Sequence, residues 1–340
     1  MKLSRALAIE ILNAGLATGA DYAEIYYQDN QSHSYTRRYK KVYSVTGGRT
    51  SGIGIRLIKG VKVVYGYTSD LSKKSLLELA SSLALGFEGE RVLTVTSLKE
   101  KKFAQMNPIK IPHSSWNVEK KLSYLEEGEK VAYAVSDKIQ DVLTRLMEED
   151  EHVEIYNSDG IYTSDERTRT RLACAAFATD GTQFQQGFVG PGVSKGLEFL
   201  EETDFKAVCK ETAETAVELL SAPEGPSGEM PVVLGNYFGG VLFHEACGHP
   251  LEGCAIARGT SPFADKLGKK IASDVVTAID DGTIENGWGS ESVDDEGIAP
   301  TKNILIKDGV LVSYMVDRYN GRRINGGMKP TGSCRRESYR

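Results

Sequence analysis

The order of the hydrophobic patterns along the sequence constrains the fold more than any single motif does. Patterns with the period of a helix and patterns with the period of a strand come in separate blocks, and they do not alternate one by one. Parallel sheets are built from alternating strand and helix units, whereas blocks of strands favour antiparallel hairpins. The sequence therefore predicts an α+β fold whose sheet is largely antiparallel.

The first block predicts one helix followed by a strand meander. Leu3, Leu7 and Ile11 recur at helical spacing, and residues 22–68 are rich in Tyr, Val and Ile. Further helices are predicted from Asp70 or Ser72 to Gly86, near residues 118–148 and over residues 206–222. Strands are predicted to return around Val153–Ile155, with turns at Asp159-Gly160, Asp180-Gly181 and Asp308-Gly309.

A sharp change of composition at residues 223–228 predicts a domain boundary, because Pro, Gly and Ser dominate there. We expect residues 1–222 to form a mixed N-terminal α+β domain and residues 223–340 a largely antiparallel β domain. Within the second domain, Pro231–Leu234 is predicted as a short buried strand and Tyr237–His249 as a helix.

Charge and cysteine usage exclude several classes of protein. A net charge of −6 argues against a general nucleic-acid binder or an acidic-membrane binder. The five cysteines are scattered without a CxxC pair, which is unlike the disulfide framework of a secreted domain and favours a reducing cytoplasm. Neither a signal peptide nor an apolar run long enough to span a membrane is expected.

The segment His244-Glu245-Ala246-Cys247-Gly248-His249 carries the chemistry of a metal site. Two imidazoles around a carboxylate can supply two zinc ligands and a base. In the familiar HExxH helix the histidines lie about 40° apart, at roughly 3.6 residues per turn, but the spacing here places them about 140° apart. Joint ligation therefore predicts that the turn widens towards a π-helix, which Gly248 and Pro250 make plausible. Alone, the pattern fits a helix cap and a packed side chain equally well.

The context of this segment resembles the signature of the TldD/PmbA metallopeptidases. The similarity runs from Gly239 to Gly253. It continues, in the same order, through four further stretches: Gly259–Gly268, Asp280–Thr283, Asp294–Gly297 and Arg335–Tyr339. Weaker similarity at Gly19–Glu24 and Gly52–Arg56 extends the resemblance over nearly the whole sequence.

The resemblance implies a zinc-dependent peptidase subunit, with His244 and His249 as metal ligands and Glu245 as the base that activates water. Such proteins work with a motif-lacking sister subunit or as homo-oligomers around a chamber that admits unfolded or small peptides. They remove leader segments from modified peptides or degrade small proteins, and some were described as modulators of DNA gyrase. No nucleic acid or membrane is expected as a partner.

The third ligand that the resemblance implies is a cysteine in a glycine-rich stretch downstream of Arg340. The site is therefore expected to be incomplete, and the protein is expected to be truncated at its C-terminal end. Neither Cys334 nor Cys247 nor Cys254 stands at the position of that ligand. A catalytically incomplete scaffold subunit that pairs with a partner is therefore the alternative function.

Other interpretations stay open from the sequence. Cys247 could be a nucleophile and Cys254 a substitute ligand, although lone cysteines are commonly buried hydrophobic residues. The acids at 294–296 could bind a hard cation or support a turn. The basic and aromatic residues at 35–43 fit a nucleic-acid platform, or an exposed strand and its turn. Gly52-Ile53-Gly54 lacks the third glycine of a dinucleotide site.

Overall fold

The computed structural model describes residues 3–236 and 239–340. The helices are α1 (Arg5–Gly15), α2 (Lys73–Ala84), α3 (Val118–Tyr133), α4 (Glu198–Glu202), α5 (Phe205–Leu219), α6 (Gly239–Phe243), α7 (Gly253–Arg258) and α8 (Arg318–Arg323). The strands are β1 (Tyr22–Arg38), β2 (Lys41–Lys59), β3 (Lys62–Thr68), β4 (Lys99–Glu100), β5 (Ile139–Asn157), β6 (Ile161–Thr179), β7 (Phe184–Val189), β8 (Gly192–Val193), β9 (Ala278–Asp281), β10 (Lys302–Lys307) and β11 (Val310–Leu311).

A large sheet dominates the first two-thirds of the protein. Its strands follow the order β3-β2-β1-β5-β6-β4, and β7 and β8 also pair with β6. Every pairing is antiparallel except that of β4 with β6. The α+β class and the antiparallel sheet predicted from the sequence are therefore confirmed.

Two hydrophobic cores lie along the same face of this sheet. Side chains alternate between the faces of a strand, and Ala23, Ile25 and Tyr27 of β1 face the core that α1 and α2 cover. Tyr35 continues the same alternation and faces the second core, which α3 and α5 cover. The long strands thus carry one helix pair at each end.

The opposite face of the sheet carries the C-terminal part of the protein. Tyr339 packs there with Tyr26, Val153 and Ile155. Buried ion pairs surround this contact, among them Arg167 with Asp295 at 2.8 Å. A charge that leaves water has to be paired, so these contacts fix how residues 290–339 lie on the sheet.

A smaller antiparallel sheet, in the order β11-β10-β9, forms beyond residue 250. Asp308 and Gly309 connect β10 to β11 with φ values of 48° and 79°, as a tight hairpin turn requires. The hairpin predicted at this Asp-Gly pair is therefore confirmed. Leu251, Tyr314 and Val316 belong to the core that this sheet builds.

Two predictions about secondary structure are wrong. The helix expected near 118–148 ends at Tyr133, and Ile139 begins the long strand β5. Buried and half-buried side chains alternate in β5 from Val142 to Leu146, which is the period of a strand. The spacing of the hydrophobic residues in the sequence did not show this period.

The strand expected at Pro231–Leu234 is also absent from the described part of the protein, and Val233 is 99% exposed. No strand pairs with this segment among residues 3–236 and 239–340, and its apolar side chains are more than half exposed from Val232 to Leu234. Tyr237, the predicted start of the motif helix, lies outside the described residues. None of the described helices combines the length and apolar character needed to cross a membrane.

Candidate metal centre

The backbone of the histidine motif widens as its spacing predicts. Helix α6 ends at Phe243, and residues His244–Gly248 form a π-helical turn. The amide N–H of His249 donates to the carbonyl oxygen of His244, five residues earlier. The wider turn brings both imidazoles to one side of the helix, with their Nε2 atoms 3.1 Å apart. The prediction that this segment departs from a regular α-helix is confirmed.

Gly248 supports this arrangement for a different reason from the one that the sequence suggested. Its φ of −59° and ψ of −66° are ordinary right-handed values, so no unusual dihedral is needed. A Cβ atom at this position would lie 2.7 Å from Nδ1 of His244. The glycine therefore leaves the space that the His244 ring occupies.

The three polar side chains of the motif converge on a volume suited to zinc. The ligand atoms of His244, Glu245 and His249 all lie within 4.8 Å of one another. A tetrahedral zinc ion with Zn–N bonds of about 2.0–2.1 Å holds two nitrogens about 3.3 Å apart, close to the separation found here. The Glu245 carboxylate lies 4.0 Å from His249 Nε2, and both side chains are more than half exposed. The residues present therefore fit a zinc ion that solvent and substrate can reach.

Glu252 orients one of the two histidines, and the sequence analysis missed it. Its Oε1 atom lies 2.7 Å from Nδ1 of His249, which leaves Nε2 free to face the site. This hydrogen bond raises the pKa of His249 above its usual value, and the negative charge of the Glu252 carboxylate adds a smaller effect in the same direction. The backbone of Glu252 pairs with Met315, and the neighbouring Gly253 N–H donates to the Met315 carbonyl at 2.6 Å. The spacing His-x-x-Glu, one helical turn, was the signal in the sequence.

Comparison with known proteins identifies the family of the chain that carries this site. Models of the C-terminal domain, the central domain and domain 1 of the PmbA/TldA metallopeptidases match residues 227–340, 111–220 and 23–85. A metalloprotease TldD homolog of Haemophilus influenzae is 35% identical over 329 residues, which cover 94% of this chain and 67% of that protein. The chain belongs to the TldD/PmbA metallopeptidase family. A TldD homolog of Buchnera aphidicola is 33% identical, with the same coverage of 94% and 67%.

Solved structures share the fold. A protein described as a modulator of DNA gyrase from Bacteroides thetaiotaomicron superposes with a TM-score of 0.79 at 18% identity, covering 97% of this chain and 75% of that one. TldE from Thermococcus kodakarensis superposes with a TM-score of 0.73 at 19% identity, covering 97% and 74%. The resemblance to TldD/PmbA proteins noted in the sequence is confirmed.

The cysteines of this TldD/PmbA protein lie outside the converging group. Among the described residues, the group able to hold a metal consists of His244, Glu245 and His249. Cys247 packs against the C-terminal core, and burial raises its pKa. Cys254 donates its thiol hydrogen to Glu252 at 3.7 Å, and burial also raises its pKa. A raised pKa keeps a thiol protonated, which disfavours the nucleophile alternative, and the absence of both sulfurs from the converging group of described residues disfavours the ligand alternative.

The acids at 294–296 hold segments of the protein together. All three are buried. Asp294 Oδ1 accepts hydrogen bonds from the amides of Glu296 and Ile298, both at 2.9 Å, while Asp295 pairs with Arg167. These contacts occupy the carboxylates, which supports the turn interpretation over a cation site.

The two remaining candidate sites from the sequence, the basic and aromatic stretch and the Gly-Ile-Gly segment, are parts of the large sheet and its turns. The basic and aromatic stretch is the end of the β1–β2 hairpin, and its turn residues Tyr39 and Lys40 have φ values of 56° and 59°. Gly52 and Gly54 lie within β2, where Tyr339 and Tyr65 pack against them too closely for a side chain. A strand paired on both edges at Gly54 cannot form a phosphate-binding loop.

Proposed function

We propose that this protein is a zinc-dependent peptidase subunit that hydrolyses unfolded or small peptides, as in leader removal or the degradation of small proteins. His244 and His249 are the metal ligands and Glu245 is the base. The observation that carries the proposal is the π-helical turn that brings both Nε2 atoms to 3.1 Å beside the Glu245 carboxylate. The names of the relatives, as metalloproteases, support a metal at this position.

Each residue of the centre has a task that its chemistry suits. A zinc ion held by the two histidines would supply a Lewis acid for the peptide carbonyl. Glu245 is exposed and unpaired with any lysine or arginine in the described part of the protein, so its carboxylate can take a proton from the attacking water. Glu252 keeps Nδ1 of His249 occupied and thereby holds the ring in a fixed orientation.

The third ligand is proposed to be the cysteine that the resemblance implies, because none of the five cysteines present here joins the converging group. We further propose a motif-lacking sister subunit or a homo-oligomer as the assembly, supported by the shared fold of TldE. A reducing cytoplasm suits the five free cysteines. The division into domains 1–222 and 223–340 also remains a proposal.

The test compares zinc content with hydrolysis of an unstructured peptide, for the protein alone and mixed with a sister subunit. In a version of the protein that carries the proposed third ligand, Glu245→Gln should keep the metal and lower the rate by a factor on the order of hundreds. His244→Ala should lose both metal and activity. Glu214→Gln, an exposed substitution of the same kind on α5, is the matched control.

Full activity in Glu245→Gln would contradict the role of the base. Zinc retained by the double variant His244→Ala/His249→Ala would show that the metal binds elsewhere.

A further inference from the structure

A cavity of about 520 Å³ lies where the β1–β2 hairpin, strands β5 and β6 and the loop carrying Trp288 meet. Its wall includes Arg169 and Arg171 of β6, His33 and Gly47 of the hairpin, and the Trp288 ring. The size falls in the range of small-ligand pockets, roughly 300–1,000 Å³. None of these residues belongs to the candidate metal centre.

The Trp288 ring is a fixed platform. A Cβ on Gly192 would lie 2.8 Å from two carbons of the indole, so the ring packs directly on the bare backbone of Gly192. The loop before it is anchored as well, because the Asn286 N–H donates to Asn107 at 2.8 Å and the Asn286 carbonyl accepts from the amide of Ser194 at 3.1 Å. Trp288 is nevertheless 44% exposed, which leaves one surface of the ring available.

The two arginines beside this ring differ in how their charge is balanced. Arg169 pairs with Glu291 at 2.7 Å and with Glu149 at 3.6 Å. Arg171 donates to the Gly190 carbonyl at 3.0 Å and lies 5.8 Å from the Trp288 ring centroid. Within residues 3–236 and 239–340, no carboxylate is within ion-pair distance of Arg171. The cavity therefore presents an oriented, uncompensated cation next to an aromatic surface.

We propose that this cavity binds a peptide in which a carboxylate lies next to an aromatic side chain. The aromatic ring stacks on Trp288 and the carboxylate pairs with the Arg171 guanidinium. The choice of a peptide as ligand rests on the proposed peptidase function. Two peptide features offer this chemistry, which are the terminal carboxylate of a C-terminal aromatic residue and a glutamate followed by an aromatic residue.

Charge favours a peptide over a nucleic acid. Glu149 also lines the cavity with its side chain 33% exposed, so a polyanion would meet a carboxylate as well as the cation. The net charge of the whole protein is −6, which repels a phosphate backbone.

The test measures the fluorescence anisotropy of labelled peptides added to the protein in the presence of a chelator. One peptide ends in Gly-Gly-Phe with a free carboxylate, a second is its C-terminal amide, and a third carries an internal Glu-Phe and an amidated end. We expect saturable binding of the first, the third or both, and binding of the plain amide that is weaker by about tenfold or more.

Matched variants locate the site. Arg171→Gln and Trp288→Ala should each weaken binding by about tenfold, and Arg171→Lys should weaken it less because it keeps the charge. Arg145→Gln is the control, since Arg145 makes a hydrogen bond to Thr36 on the same sheet, does not line the cavity and should bind normally.

His244→Ala should leave peptide binding in the cavity unchanged. A failure of the proposed peptidase function can therefore be distinguished from a failure of the proposed binding site. Equal binding of the plain amide, absence of saturable binding, or normal binding by both Arg171→Gln and Trp288→Ala would overturn the proposal. Displacement of the peptide by a single-stranded oligonucleotide at lower concentration than by unlabelled peptide would overturn it in favour of a nucleic acid.

Discussion

Replacing Glu252 with alanine should weaken zinc binding without unfolding the protein. Glu252 is the only described residue hydrogen-bonded to Nδ1 of His249, at 2.7 Å. Removing a hydrogen-bond partner of a metal ligand typically lowers metal affinity by about 10-fold to 100-fold, and the effect of Glu252→Ala should fall within this range. The side chains of His249 and Glu252 are 55% and 41% exposed, and water can replace part of the lost hydrogen bond. We therefore expect a loss of about tenfold, the lower end of the range.

The magnitude should depend on charge as well as on hydrogen bonding. Glu252→Gln keeps an acceptor for Nδ1 but removes the negative charge, and hydrogen bonds to charged groups are about twice as strong as neutral ones. The glutamine variant should therefore lie between the wild type and the alanine variant, at a loss of about threefold.

Competition with a chromophoric chelator at fixed pH measures both affinities. Glu252 precedes α7 without a side-chain capping hydrogen bond, so its replacement should change the free energy of unfolding by less than about 0.5 kcal/mol. An alanine variant that binds zinc as tightly as the wild type would refute the positioning role. A large loss of stability would instead show that Glu252 supports the fold.

Three further predictions concern other parts of the protein. Gly248→Ala should lower zinc affinity by at least about tenfold, because the added Cβ would lie 2.7 Å from the His244 ring. Chelator competition measures the affinity, and far-UV circular dichroism checks that the variant is folded. Burial raises the pKa of Asp294 to about 7, so the folded state binds more protons than the unfolded state between pH 4 and 7 and stability falls as the pH rises through that window. Denaturant unfolding at pH 5 and pH 8 should show this loss, of at most about 3 kcal/mol, in the wild type and a smaller one in Asp294→Asn. Tyr39→Asn should raise the free energy of unfolding by about 1 kcal/mol, because asparagine tolerates the left-handed conformation of this turn. An unchanged denaturation midpoint would contradict this prediction.

Local signals in the sequence predicted those elements whose structure depends on neighbouring residues. Helix α2 begins after Ser72, one of the two predicted caps, whose side chain accepts a hydrogen bond from the Ser75 amide. Its buried residues Leu76, Ala80 and Ala84 lie at helical spacing. The Asp308-Gly309 turn likewise follows from its own dihedral preference.

The errors come from contacts that are distant in sequence. Ile139, Val142 and Leu146 have spacings that suit a helix, yet they lie in β5 because β1 and β6 pair with it on both edges. Val232 and Val233 have the composition of a strand, but a strand is stable only against a partner, and none pairs with them in the described part of the protein. Propensity alone could not decide either case.

The metal centre shows how one spacing determines several residues at once. The five-residue step from one histidine to the other forces the backbone to widen into a π-helical turn if both rings are to face one ion. The wider turn places residue 248 directly against the ring of His244, so this position has no room for a side chain. The following 3₁₀ turn then brings Glu252 to Nδ1 of His249. The glycine is therefore a consequence of this spacing, whereas the second glutamate could have been inferred from its own His-x-x-Glu spacing to His249.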